Sequence, residues 1–200
     1  MLRGPLVVLP DHVLSGDSMK STHVVLSGPR AVGKSTIGRA LAKRLGLTFI
    51  DLDVKVLNRF SESTVAAVWT MHGESAWREM ETTVLADLLN EPPMVLALGG
   101  GVPTIPEAAE SLNRSRREGS AMVIWLQADP HELASRLETC SDDRPSLTGS
   151  TPAEEIIEIC RIRASSYEAV SDVSLDVGMM EESQAVDSVL DLIMRQQPSN

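Results

Sequence analysis

Two hundred residues with 42% hydrophobic and 23% charged content describe one ordinary globular domain, long enough to bury a core of its own. A net charge of −10 excludes a general affinity for nucleic acid or for an acidic membrane surface, since either partner needs a basic face. Aromatic residues supply only 3%, so the core has to be built from Val, Leu, Ile, Ala and Met.

Residues 1–20 read as a loose extension ahead of a single domain over 21–200. The opening "MLRGPLVVLP" has one arginine and an apolar stretch too short for a secretory signal. Met19 opens "MKSTHVVLSG" and is a candidate start. No apolar run reaches membrane-spanning length. The first expected strand is His23–Ser27. A helix follows, with Ile37, Leu41 and Leu45 on one face and Gly46 as its stop. Further strands are expected at Thr48–Asp51, Met94–Leu98, Met122–Leu126 and Val173–Val177. Trp77, Met80, Val84 and Leu88 line a second helix, and Pro152–Val170 and Glu181–Arg195 supply two more. The runs "VVL", "MVLAL" and "MVIWL" are apolar on successive residues, as in strands covered on both faces. Strand–helix alternation along the chain predicts a three-layer α/β fold. Thr139–Thr151, "TCSDDRPSLTGST", is polar, carries Pro145 and Gly149, and reads as a mobile loop. Cys140 and Cys160 form neither a disulfide framework nor a metal cluster, and fit reduced thiols of a cytoplasmic protein.

The stretch "SGPRAVGKST" joins the first strand to the first helix. Gly28–x4–Gly33–Lys34–Ser35 has the spacing of a phosphate-binding loop. Glycine lets the backbone close around phosphate oxygens, and the first N–H groups of the helix point at the anion. Gly28, Pro29, Arg30, Ala31, Val32, Gly33, Lys34, Ser35 and Thr36 are therefore the expected nucleotide-binding residues. Lys34 adds a compact charge at the β/γ bridge, and the Ser35 hydroxyl can ligate Mg²⁺. This predicts a nucleoside triphosphate with Mg²⁺ and leaves the acceptor open.

"FIDLD" puts Asp51 and Asp53 at the end of the second strand, where open α/β sheets bind ligands. Near a triphosphate the pair can serve a metal shell and a general base; Asp53 can equally cap a helix. Arg163 shares a helical stripe with Ile156, Ile159, Cys160 and Tyr167. There it either snorkels to the rim or faces a cavity holding an anion. Arg78 has Glu81 three residues on. Spacing alone reads this as a local ion pair; the functional alternative has Glu81 orienting Arg78 toward a substrate carboxylate. Arg144 lies in the polar loop, where a lid arginine could stabilise a transferring phosphoryl group. "LALGGGVP" ends a strand with Gly99, Gly100 and Gly101, permitting close approach of a ligand to the backbone.

In order and spacing, "GKSTIGRALAKRLG", "FIDLD", "HGESAWREMET", "LALGGG", "DDRPSL" and "RIRASSY" together resemble shikimate kinase, within the nucleoside monophosphate kinase superfamily, from about His23 to Val177. The resemblance implies a five-stranded parallel sheet in the order 2-3-1-4-5. It implies transfer of phosphate from ATP to the 3-hydroxyl of shikimate; the chain is expected in the cytoplasm and as a monomer. It places the nucleotide lysine and metal-binding hydroxyl at Lys34 and Ser35, the water-linked metal aspartate at Asp51, and the substrate-holding base at Asp53. The carboxylate-binding arginines fall on Arg78, oriented by Glu81, and on Arg163. Trp77 becomes the pocket aromatic, Gly99–Gly101 the glycine turn, and Arg144 the lid arginine. The chain departs from the family pattern at Ala31, where glycine is usual, at Ser146, where leucine is usual, and at Ser165, Ser166 and Glu168. Alternatives are a kinase for gluconate or a nucleotide, and a kinase-like ligand-sensing module. The glycine triplet and the Arg78 motif speak against the first two. Intact Lys34, Asp53 and Arg144 speak against the third, as does a stretch of only about twenty residues before the first strand, too short for a helix-turn-helix module.

Overall fold

The computed structural model describes residues 22–139 and 151–195. The expected extension over 1–20, residues 140–150 of the expected lid, and Cys140 and Arg144 with them lie outside the described residues.

Five strands alternate with seven helices among the described residues: β1 (His23–Ser27), α1 (Lys34–Leu45), β2 (Thr48–Asp51), α2 (Leu52–Leu57), α3 (Val65–Leu88), β3 (Met94–Ala97), α4 (Pro106–Arg117), β4 (Ala121–Gln127), α5 (Pro130–Thr139), α6 (Pro152–Val170), β5 (Val173–Asp176) and α7 (Glu182–Arg195). A short 3-10 turn, Val102–Thr104, lies between β3 and α4. The strands form one sheet in the order β2-β3-β1-β4-β5, every pair parallel. This is the expected topology, and each expected strand matches to within one residue at either end.

The continuous apolar runs of β1 and β3 are buried at every residue, because helices cover both faces of the sheet. Alternation along the strands divides the core. Val24, Leu26, Ile124 and Leu126 pack with Leu41 of α1, Leu133 of α5 and Val189 of α7. Val25, Leu96 and Val123 pack on the other face with Val56 of α2, Trp77 and Leu85 of α3, and Leu112 of α4. Helix α4 has a polar sequence and buries only Ala108, Leu112 and Ser115, so its apolar signal is thin. Gly46 ends α1 in the left-handed conformation expected of it (φ 67°). Because the strands are parallel, the segments leaving β1, β2 and β3 emerge at one end of the sheet, and that end carries the chemistry.

At the opposite end, His23 is 3% exposed. Burial holds its imidazole below the ordinary value of 6.5, against the opposing pull of the Leu89 backbone and the Glu91 charge. A base with a lowered folded pKa is protonated more readily in the unfolded chain. Its neutral, stable state is therefore complete above pH 6.5, and stability falls as pH drops through and below that value. His23→Gln is expected to flatten this part of the Tm–pH curve, measured by thermal melts between about pH 5 and 8.

Candidate active site

The chain turns out of β1 at Gly28, whose φ is 137°. A Cβ there would lie 2.3 Å from the Leu126 carbonyl oxygen, so only glycine fits. Gly33 (φ 99°) caps α1 without a side-chain hydrogen bond, which leaves the first N–H groups of the helix to an anion. Lys34 Nζ lies over the loop and donates to the Gly28 oxygen at 2.8 Å and the Pro29 oxygen at 2.7 Å. Ala31, at the family's usual glycine position, takes a left-handed φ of 60°. A side chain in that conformation costs about 1 kcal/mol. Ala31→Gly is thus expected to raise Tm by about 2–4 °C, read by calorimetry.

Beside the loop, Ser35 Oγ donates to Asp51 Oδ2 at 2.6 Å. The other Asp51 oxygen accepts from the Asp53 N–H at 3.1 Å and caps α2. The helix cap is therefore Asp51, and Asp53 sits in the first turn with its carboxylate against Gly99. A Cβ on Gly99 would meet both Asp53 Oδ1 and Glu81 Oε1 at 2.6 Å. None of the three glycines after β3 has a positive φ. Gly99 and Gly101 are glycine because of what lies against them.

Arg78 packs on Gly101, where a Cβ would be 2.5 Å from Nη1 and 2.8 Å from Cζ and Nη2. Its Nη1 donates to Glu81 Oε2 at 2.7 Å, while Nε and Nη2 donate to Glu74 Oε1 at 3.1 and 2.9 Å. The ion pair expected from i,i+3 spacing and the turn-facing arginine are one arrangement. Glu81 is fully buried. Burial raises its pKa; the Arg78 charge opposes this, and Asp53 adds to it. From α6, Arg163 Nη1 donates to the Gly100 oxygen at 3.1 Å, and Tyr167 Oη donates to the same oxygen at 2.8 Å. Burial pushes the Tyr167 phenol up to about 12, so it stays a donor at neutral pH. Arg163 thus reaches the glycine turn rather than the outer rim. Burial also raises the Cys160 thiol, against the charges of Arg163 and Lys34, which keeps it protonated near neutrality.

Arg78, Arg163, Asp53 and Glu81 accordingly converge on Gly99–Gly101, with the phosphate loop next to them: a Cβ on Gly100 would be 3.6 Å from the Gly28 oxygen and the Arg30 nitrogen. The expected pocket aromatic, Trp77, is instead 1% exposed in the core and stacked on Phe60. The partly exposed aromatic beside Arg78 is Trp69, whose ring centre is 5.8 Å from Arg78 Cζ. Sequence reading also passed over Arg136, which donates to the Ala31 oxygen at 3.3 Å and the Gly178 oxygen at 2.7 Å, tying the phosphate loop to the turn after β5. Its signal was faint: a charge beside the buried Leu133, Ala134 and Leu137 of α5.

A family model described as shikimate kinase matches residues 30–194. A shikimate kinase of Rhodopirellula baltica is 32% identical over 190 residues, covering 94% of this chain and 96% of that one. One from Caulobacter vibrioides is 36% identical over 172 residues, covering 86% and 82%. The solved structure of an Acinetobacter baumannii shikimate kinase in complex with shikimate superposes with a TM-score of 0.79 at 27% identity, over 92% of this chain and 99% of that one. The glycine turn, its two arginines and its carboxylates thus stand on the fold of these relatives, and the chain belongs to the shikimate kinase family.

Proposed function

We propose that this chain transfers the γ-phosphoryl group of ATP to the 3-hydroxyl of shikimate. The observation that carries the reading is the meeting of Arg78 at Gly101 and Arg163 at Gly100, with the Asp53 carboxylate one glycine away. Two planar guanidinium groups suit one carboxylate, and a neighbouring carboxylate suits a hydroxyl. Glu81 fixes Arg78, and Tyr167 fixes the Gly100 carbonyl that Arg163 also uses.

In the reaction Asp53 orients the hydroxyl and accepts its proton as the oxygen bonds to the γ-phosphorus. The bond from that phosphorus to the β,γ-bridging oxygen breaks, and ADP leaves. The N–H groups at the start of α1 and the Lys34 ammonium hold the phosphates. Arg144, outside the described residues, is assigned to the transferring group on the family resemblance alone. The hard oxygens of Ser35 and Asp51, 2.6 Å apart beside the phosphate loop, fit Mg²⁺ shared with nucleotide phosphates. Bound there, Mg²⁺ would neutralise charge on the β- and γ-phosphates. The cytoplasm, where ATP is at hand, is the compartment this reading expects.

The test is ADP release measured with shikimate, gluconate and nucleoside monophosphates, each with and without Mg²⁺. The expected result is shikimate-dependent, Mg²⁺-dependent ADP formation. Turnover with gluconate or a nucleotide in preference to shikimate would reassign the acceptor, and shikimate binding without ADP would make the protein a sensor.

A further inference from the structure

The crest of the phosphate loop is fixed through its carbonyl oxygens. Lys34 Nζ donates to those of Gly28 and Pro29, and Arg136 Nη1 to that of Ala31. Arg30 stands among them and meets the glycine turn. The place a Cβ on Gly100 would fill is 3.6 Å from the Arg30 nitrogen and 3.8 Å from its Cγ. The Arg30 side chain therefore starts out along Gly100, and its Nε is buried. On either side, Asp53 and Glu81 lie against Gly99, and the Arg78 guanidinium lies against Gly101. Arg163 donates to the Gly100 oxygen. Arg30 is thus a cation at the seam between the loop suited to ATP and the turn suited to the acceptor, and a transferring group has to cross that seam.

Transfer moves charge across it. A phosphate monoester carries about −1.5 to −2 near pH 7. In the product this charge rides on an acceptor whose own carboxylate engages Arg78 and Arg163, beside the acidic Asp53 and Glu81. Like charges confined in this way repel unless a cation stands among them. We infer that Arg30 is a catalytic residue on the acceptor side: its guanidinium takes hold of the phosphoryl group as that group arrives on the shikimate oxygen, and keeps hold of it in the product. This rests on the reading of the chain as a kinase for shikimate. The planar fork of an arginine can meet two phosphoryl oxygens at once. The N–H groups at the start of α1 and Lys34 keep the nucleotide. Loss of the Arg30 side chain should therefore weaken binding of the phosphorylated product and spare binding of ATP and of shikimate.

The experiment titrates shikimate, shikimate 3-phosphate and ATP separately into the unaltered chain, R30M and R30K by calorimetry, and follows a single turnover by rapid quench, where product release plays no part. R30M keeps the length of the stem and removes the charge. It is expected to weaken shikimate 3-phosphate about tenfold, with shikimate and ATP each within about twofold, and to slow the single turnover about tenfold. R30K, which keeps the charge without the fork, is expected to fall between R30M and the unaltered chain. A merely structural role would move shikimate and its phosphate together. The inference is overturned if R30M binds the product as the unaltered chain does, if shikimate and its phosphate weaken equally, if the loss falls on ATP alone, or if R30K is no better than R30M. An unaltered chain that phosphorylates shikimate while R30M matches it overturns this inference alone. An unaltered chain that does not phosphorylate shikimate overturns the functional reading and this inference with it.

Discussion

Arg78→Ala is expected to raise KM for shikimate about 100-fold or more and to leave KM for ATP within about twofold. Loss of a charge-assisted bidentate contact accounts for an effect of that size. The nucleotide keeps its own ligands on the phosphate loop, which does not depend on Arg78. The substitution has a second consequence, because Glu81 is fully buried and Arg78 is its counter-ion, with Nη1 2.7 Å from Oε2. Removing one member of a buried pair strands the other, at a cost of about 3 kcal/mol at neutral pH. The sign with pH follows from the raised Glu81 pKa. In the folded variant the carboxyl holds its proton more firmly than in the unfolded chain. Its penalty is therefore smallest at acidic pH and grows as pH rises through the folded value. Melts at about pH 5 and pH 7.5 should show Arg78→Ala falling further below the unaltered chain at the higher pH. Adding Glu81→Gln should restore much of the stability without restoring KM. That separates the binding role of Arg78 from its structural one.

Asp53→Asn is expected to lower kcat by about 10²–10⁴-fold, with a smaller rise in KM for shikimate. The amide keeps the shape of the carboxylate beside Gly99, where space is limited on both sides by Asp53 and Glu81. It cannot accept the hydroxyl proton. The substitution also removes one negative charge from the neighbourhood of Glu81, so stability should hold or rise slightly. A fall in kcat with unchanged Tm, from steady-state kinetics and thermal melts on one preparation, is the expected pattern. A variant with near-normal kcat would remove Asp53 from proton transfer and leave it a binding residue only.

Much of the sheet was legible because its signal is local. Apolar runs such as "VVLS" and "MVLA" belong to strands covered on both faces, and that covering is what β1 and β3 have. The turn between β1 and α1 was legible for a related reason: its glycines, lysine and serine are adjacent in sequence, and Gly28 and Gly33 both take the positive φ that such a loop needs. Arg163 stood out as a cation on an apolar stripe, and it reaches the Gly100 carbonyl. Features that depend on chain reversal were not legible. Of the two tryptophans that flank Gly73, Trp77 shares the apolar stripe of Val84 and Leu88, and that periodicity rather than the family pattern anticipated its burial, whereas nothing local marked where Trp69 would fall across the break. Only the fold sets Trp69 beside Arg78. Asp51 and Asp53 are similarly ambiguous in a sequence. The backbone decides that Asp51 caps α2 and also meets Ser35, which frees Asp53 to face the glycine turn. Arg136 was not legible because the Ala31 and Gly178 carbonyls it meets lie far away in sequence.

The most direct measurement is the product itself, followed by phosphorus and proton NMR in a mixture of stoichiometric ATP, Mg²⁺ and shikimate. One phosphomonoester coupled to the proton on carbon 3, formed together with equimolar ADP, is the predicted outcome. Inorganic phosphate alone, or a phosphoryl group on a different hydroxyl, would contradict the proposed roles of Asp53 at Gly99 and of Arg78 and Arg163 at Gly101 and Gly100.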